Sequence, residues 1–329
     1  MCLYPKLIKN KKYLPNKKNN WNPPKCKDYR VLYVTAACGK CLECRKQKQR
    51  EWLVRMSEEL RHDPNAYFMT LTFSEEKLEE YKKLCDSEDP NIIATKAMRL
   101  MLERCRRKLG HSVKHWFISE LGHTGTERVH LHGLVWGIGM DKLVEEKWQN
   151  GITFTGTFVN EKTINYITKY ITKIDEDHKE FTGVILCSPG IGGGYLKRGD
   201  SDKHIYKKGE TIETYRLRNG AKINLPTYYR NKLFTEEERE KLWIDKIEKG
   251  IVWIMGQKVR IDNTEEYEQL LEQARNDAIR LEGYQEEEWD KQKYFKRQCI
   301  KQKYFSSKAL RENDFRNTFP KSTERSQHK

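Results

Sequence analysis

The residues best suited to chemistry lie in two stretches. The first runs from Phe117 to Trp136 and centres on His130-Leu131-His132. In a strand, alternate side chains point the same way, so His130 and His132 share one face. Phe117 to Ser119 reads as an earlier strand, and Leu121 to Arg128, with two glycines, as a turn. Pairing the two strands as a hairpin brings Glu120 close to the histidines. Two imidazoles and a carboxylate on one face suit a divalent cation with positions left open for substrate. A bare His-x-His is equally what a half-buried sheet carries without any metal. The second stretch is Ile164-Asn-Tyr-Ile-Thr-Lys-Tyr-Ile-Thr-Lys-Ile174, whose apolar spacing suits a helix. Tyr166 and Tyr170 are four apart and project from one helical face, with Lys169 and Lys173 repeating the step beside them. A tyrosine hydroxyl can act as a nucleophile and leave a covalent enzyme intermediate. Neighbouring lysines suit a substrate that carries phosphate. The bland reading is a helix whose tyrosines pack on the sheet while the lysines stay wet.

Several elements must position these groups. Strands are expected at 66–73, 113–120, 128–136 and 152–159, and a shorter one at 31–36. Helices are expected at 42–60, 75–84, 94–108 and 141–148, the second with Ser74 as its N-cap. This order suits an α+β fold, an antiparallel sheet with helices packed on it. Gly190 to Gly194 reads as a flexible loop. Residues 206–223 read as a hairpin turning at Asn219-Gly220. From Thr235 the chain is helical in character, with amphipathic segments at 235–249 and 264–282. The organisation expected is a basic N-terminal segment at 1–62, a core at 63–234, a helical C-terminal extension at 235–310 and a disordered tail at 311–329.

The 329 residues carry 63 Lys+Arg against 48 Asp+Glu, a net charge of +15. The excess is concentrated: residues 1–55 hold 15 Lys+Arg and only 3 Asp+Glu. Such a segment attracts a phosphate backbone. Arg45 and Lys48, on the helix expected at 42–60, are candidate DNA contacts, as are Lys173 and Arg128. No apolar run reaches the ~18 residues that span a bilayer, and no apolar signal core follows the N-terminal lysines. The nine cysteines are an odd number, which argues against a disulfide framework. Cys38, Cys41 and Cys44, at Cys-x-x-Cys-x-x-Cys spacing, suit structural Zn²⁺, with Cys2 the first choice for the fourth ligand and Cys26 the second. The spacing also suits an iron–sulfur cluster, or three thiols at the start of a helix.

Together the two chemical stretches resemble the HUH endonucleases, which include the rolling-circle replication initiators. The His-hydrophobic-His strand, the Tyr-x-x-Lys-Tyr of Tyr166 to Tyr170 and the upstream Tyr67-Phe-Met-Thr-Leu-Thr-Phe73 are similar to that family's three motifs. The chain as a whole most resembles the initiators of small single-stranded DNA phages, the microviruses of the gokushovirus kind. Further likenesses are Met1-Cys-Leu-Tyr-Pro-Lys6, Cys38 to Cys44, Gly190-Ile-Gly-Gly-Gly-Tyr195 and Leu225-Pro-Thr-Tyr-Tyr-Arg230. The resemblance implies a sheet with the histidines on a central strand and the tyrosines on an adjacent helix. It implies Mg²⁺ or Mn²⁺ on His130, His132 and Glu120, Tyr166 and Tyr170 as nucleophiles, and Lys169 on the scissile phosphate or leaving oxygen. The implied partners are single-stranded DNA at a replication origin and a host polymerase, in the host bacterial cytoplasm. No Gly-x-x-x-x-Gly-Lys-Ser/Thr occurs, so no nucleotide cofactor is expected and a host helicase is. Two other readings stay open. One is a relaxase, plasmid initiator or transposase with the same chemistry. The other is a non-catalytic, zinc-containing nucleic-acid-binding protein.

Overall fold

The structure is a computed structural model and describes residues 1–122, 127–156, 158–173, 178, 181–261, 264–282, 289–290 and 294. The sequence expected at 311–329 to lack order lies outside the described residues. In chain order the elements are β1 (Lys6–Lys9), β2 (Tyr33–Ala36), α1 (Leu42–His62), β3 (Ala66–Leu71), α2 (Glu75–Cys85), α3 (Pro90–Leu109), β4 (Lys114–Leu121), β5 (Val129–Trp136), α4 (Met140–Lys147), β6 (Thr153–Gly156), α5 (Glu161–Lys169), β7 (Ile185–Cys187), β8 (Thr214–Arg216), β9 (Lys222–Asn224), α6 (Thr227–Leu233), α7 (Glu236–Lys249), β10 (Ile251–Ile254), β11 (Gln257–Arg260) and α8 (Thr264–Glu282).

Five strands form one antiparallel sheet in the order β6-β3-β5-β4-β7. The fold is α+β, as expected. Alternation along the strands sorts two cores. Met69, Leu71, Phe117, Leu131 and Val135 face one side and pack with Ile93, Met98 and Met101 of α3. Trp116, Ile118, Leu134 and Trp136 face the other and pack with Trp52 and Met56 of α1 and with Ile164 and Ile167 of α5. The even-numbered positions of β5 therefore look toward α1 and α5, and His130 and His132 are two of them. Gly133 is required where it stands: a Cβ there would lie 2.3 Å from the Phe117 ring.

Local signals set the helix ends. Ser74 caps α2 by accepting from Lys77 N at 3.3 Å. α3 starts before the expected 94, because Asp89 accepts from Asn91 N at 2.8 Å and Pro90 occupies the first turn. It stops at Gly110, whose φ of 77° turns the chain out of the helix.

The chain forms two compact units, one from Met1–Cys41 with Glu240–Ile279, the other from Leu42–Arg239. The expected boundary at residue 62 is thus displaced, because α1 buries Trp52 and Met56 with the sheet. The first unit holds two hairpins, β1–β2 and β10–β11, and α8. The β10–β11 hairpin corrects the expectation of helix throughout from Thr235. Its turn, Met255-Gly256, has φ values of 48° and 87°, the geometry of a tight two-residue hairpin loop. The hairpin expected to turn at Asn219-Gly220 is present as β8–β9, with Gly220 at φ 84°.

Gly190 to Gly194 is not a loose loop. Gly192 N donates to Glu59 of α1 at 2.7 Å, and Tyr229 OH of α6 donates to Gly192 O at 2.9 Å. Arg55, its guanidinium 4.1 Å from the Trp52 ring and 4.3 Å from Tyr228, donates to Ile191 O at 3.0 Å. The Gly190–Tyr195 and Leu225–Arg230 motifs thus meet on α1.

Candidate active site

Register brings the first group together. Glu120 of β4 is the direct cross-strand neighbour of His130, and Thr70 of β3 is that of His132. All four side chains point to the face that α5 covers. His132 Nε2 lies 2.9 Å from Glu120 Oε2, and its Nδ1 lies 3.0 Å from Thr70 Oγ1. The ring centroids of His130 and His132 are 6.4 Å apart. Gly122 leaves room for the His130 ring, since a Cβ there would come within 2.8 Å of His130 Cε1.

The tyrosine helix lies over this row. Asn160 caps α5 by accepting from Lys162 N at 2.9 Å and Thr163 N at 3.1 Å. Ile164, Ile167 and Ile171 bury one face, which leaves Tyr166 half exposed, at 51%. The helix ends at Lys169, short of the expected run to Ile174, with Tyr170 as its C-cap. Hydrogen bonds from Tyr170 N to Ile167 O and from Lys173 N to Lys169 O, at 3.2 and 2.9 Å, continue the turn, so the four-residue spacing survives. The Tyr170 ring stacks on His132 at 4.7 Å with 4° between planes, and its hydroxyl lies 2.7 Å from that of Tyr166. Lys173 Nζ donates to Glu120. Phe68 of β3 stacks on the His132 ring at 6.4 Å and meets Tyr166 edge-on at 6.3 Å.

Electrostatics follow from this packing. Burial pushes the Glu120 carboxyl up, but His132 and Lys173 outweigh it and hold it below the usual carboxylate range. Burial, then the neighbouring His132, lowers the pKa of His130. Burial, then the hydrogen bond with Tyr166, raises Tyr170 far above an ordinary phenol. An ionised carboxylate and a neutral imidazole are the states that ligate a divalent cation. Thr70 engages Nδ1 of His132, which directs the other nitrogen to Glu120 and to any ion there. The residues present therefore fit such an ion in donor type and protonation. The Lys173 ammonium lies against the carboxylate that would receive it.

The remaining site expectations divide. Lys173 is at the site and Lys169 is exposed on the last turn of α5. Arg128 is half-buried two residues before His130, with Nη1 3.5 Å from Phe73 O. Lys48 is exposed on α1, but Arg45 is only 9% exposed. Arg45 is thus corrected from a phosphate contact to an inward-facing residue. Thr70, Phe68 and Gly122 were missed. The signal for the first two was available: on a strand holding Met69 and Leu71 inward, Phe68 and Thr70 share the opposite face.

A second cluster comprises Cys2, Cys38, Cys41 and Cys44, whose sulfurs all lie within 4.8 Å of one another. Backbone N–H groups of Cys38, Cys41 and Leu3 point at the sulfurs of Cys2, Cys38 and Cys41, at 3.2, 3.3 and 3.5 Å. Such donors favour thiolates, so this set can hold a metal such as zinc. Cys2 is in the cluster. Cys26, the second choice for the fourth ligand, instead has its sulfur 3.1 Å from Asp28 O.

The catalytic-type groups, a paired tyrosine helix over a His-x-His strand, fall inside one segment, and comparison gives that segment a relative. Residues 66–175 match the family model of the replication-associated protein ORF2. Thr70, Glu120, His130, His132, Tyr166, Tyr170 and Lys173 all lie within it. The chain is also 25% identical over 243 residues to the replication-associated protein ORF2 of Spiroplasma virus 4, a match covering 66% of this chain and 73% of that protein. Both similarities support a replication protein. No solved structure matches. Among the described residues, no helix is long and apolar enough to cross a membrane.

Proposed function

We propose that this protein nicks and rejoins single-stranded DNA at a specific site, through Tyr166 and Tyr170, to start and finish rolling-circle replication of a small circular single-stranded DNA phage genome. The observation that carries the reading is the pair of tyrosine hydroxyls, 2.7 Å apart, with one ring stacked on His132 beside Glu120. His130, His132 and Glu120 would hold Mg²⁺ or Mn²⁺, which when bound polarises the scissile phosphate and stabilises the charge developing on it. One tyrosine oxygen bonds to phosphorus as the bond to the 3′ oxygen breaks. The phenol gives up its proton, and the 3′ oxygen takes one. The products are a 5′-phosphotyrosine and a free 3′-hydroxyl, from which the host polymerase extends while a host helicase opens the duplex. The phosphotyrosine keeps the phosphodiester energy, so rejoining needs no nucleotide cofactor. The second tyrosine, within hydrogen-bond reach of the first, cuts after one round and frees the 3′-hydroxyl that closes the circle. Lys169 contacts the scissile phosphate or leaving oxygen, and Lys173, Arg128 and Lys48 contact flanking phosphates.

The test is a nicking assay on labelled single-stranded oligonucleotides tiling the protein's own genome, with Mn²⁺ or with EDTA, analysed on a denaturing gel. A metal-dependent cut, lost in Tyr166→Phe/Tyr170→Phe and in His132→Ala, supports the reading. Binding without any cut across the whole tiling set supports a non-catalytic nucleic-acid-binding protein instead.

A further inference from the structure

The first 27 residues contain eight lysines and no aspartate or glutamate. A tightly tied loop within them presents an aromatic ring. Asn16 Nδ2 donates to Lys11 O and Leu14 O, both at 2.8 Å, and its Oδ1 accepts from Lys18 N at 2.9 Å. Asn19 Nδ2 donates to Leu14 O at 2.8 Å, and its Oδ1 accepts from Asn16 N at 2.9 Å. Trp21 N closes the loop onto Asn16 O at 2.9 Å. The closure places Asn20 and Trp21 in the left-handed region, at φ 49° and 62°. Asparagine tolerates that region, but for a bulky residue it is strained. Trp21 is nevertheless 66% exposed, so packing recovers little of that cost. Strain of this kind persists where it positions a functional group. Lys17, Lys18 and Lys25, close to the ring in the chain, are exposed as well.

We propose that this asparagine-tied loop is a second binding site for single-stranded nucleic acid, with the Trp21 indole stacking on an unpaired base and the flanking lysines taking its phosphates. An exposed ring among cations is the combination that holds single strands without reading their sequence. An anionic membrane surface would also attract lysine and tryptophan, but an interfacial anchor needs several apolar side chains on one face. Here one ring stands between Asn20 and Asn22, whose amides suit base edges. The inference rests on the nucleic-acid part of the proposed function and not on its tyrosine chemistry. The site would hold the strand whether or not it is being cut.

The test measures binding of the full-length protein to a fluorescein-labelled oligo(dT) 20-mer by anisotropy, in EDTA so that no cleavage intervenes. Trp21→Ala is expected to weaken binding about tenfold and Trp21→Phe much less, in keeping with the stacking contribution of one base. Lys17→Ala/Lys18→Ala should flatten the dependence of log K on log salt by about 1.4, or ~0.7 for each phosphate no longer neutralised, while Trp21→Ala leaves that slope unchanged. Trp21→Gly separates function from structure. It removes the strain, so it should raise the melting temperature while weakening binding as much as alanine does. Unchanged affinity in Trp21→Ala would overturn the proposal. So would an effect of that substitution confined to phosphatidylserine vesicles, or wild-type protein that binds no oligo(dT). Nicking by the wild type in Mn²⁺ is read separately, so cutting with no effect of Trp21 refutes this site alone.

Discussion

His132 is constrained at both ring nitrogens and on its flat face: Thr70 at Nδ1, Glu120 at Nε2 and the Tyr170 ring stacked on it. Of these, Thr70 has no part in the chemistry and acts only by fixing the ring. Thr70→Val keeps the β-branched shape that suits β3 and removes the hydroxyl. Metal affinity, measured by Mn²⁺ titration calorimetry, is expected to fall about 10- to 100-fold, the usual cost of losing such a support, with the melting temperature nearly unchanged. The histidines, Glu120 and both tyrosines were visible in the sequence because their spacings, two and four, match the strand and helix repeats. Thr70 was less visible because its role depends on cross-strand register, which joins it to His132 far along the chain. Arg45 misled for the opposite reason. A basic residue on a basic helix reads as surface, and only packing shows which side of α1 faces inward.

Among the elements, α1 organises much of its unit through two buried carboxylates. Glu59 accepts from Gly192 N and from Lys114 Nζ, the latter at 2.6 Å, while Glu58 engages Arg61, Arg198 and Tyr215. Glu59→Ala leaves the Gly192 N–H without its acceptor and the turn unpinned. The expected loss of stability is about 3 kcal/mol, since removing one member of a buried charged contact strands the other, and urea unfolding would read it. The Cys38–Cys44 turn at the start of α1 makes a separate prediction. Purified protein should contain one zinc per chain by atomic emission, and Cys41→Ser should lose the metal and lower the melting temperature. Three cysteines of that set were legible from spacing alone. Cys2, distant from them in the chain, was one of two candidates until the fold selected it. The β10–β11 hairpin shows the other limit. Its Ile-Val-Trp-Ile run and Met-Gly turn carry a strand signal, but the hairpin is short and lies between two amphipathic helices that dominate the pattern.

Across the whole molecule, the positive charge lies chiefly in the first 55 residues, and the tyrosine site lies in the Leu42–Arg239 unit. Charge attracts nucleic acid in a salt-dependent way and the site acts on it, so sequence alone was enough to suggest a substrate class. The division into two units was not legible, because residues 1–41 group with 240–279 from the far end of the chain. The Leu42–Arg239 unit also sets a pH limit. His115 and His204 are buried, and burial holds both below their usual value of 6.5. His204 is pinned neutral between Ile212 O, at 2.6 Å from Nδ1, and Tyr195 OH, at 2.8 Å from Nε2. As pH falls through about 6.5 the unfolded chain takes up these protons and the folded chain does not. Stability is therefore full above that pH and declines below it, by at most about 1.4 kcal/mol per pH unit for each histidine. Urea midpoints measured from pH 7.5 to 5 should fall accordingly, and His115→Gln should make the fall shallower.

The proposed function stands or falls on whether Tyr166 or Tyr170 becomes covalently joined to DNA. To decide it, the protein is incubated with Mn²⁺ and its own single-stranded origin region and digested with protease and nuclease, and the peptides are sequenced by mass spectrometry. The expected finding is a nucleotide attached through phosphate to the peptide containing Tyr166 and Tyr170, present with Mn²⁺, absent with EDTA and absent in the Tyr166→Phe/Tyr170→Phe protein. Cleaved DNA with no modified tyrosine, or a nucleotide on some other residue, would contradict the tyrosine mechanism.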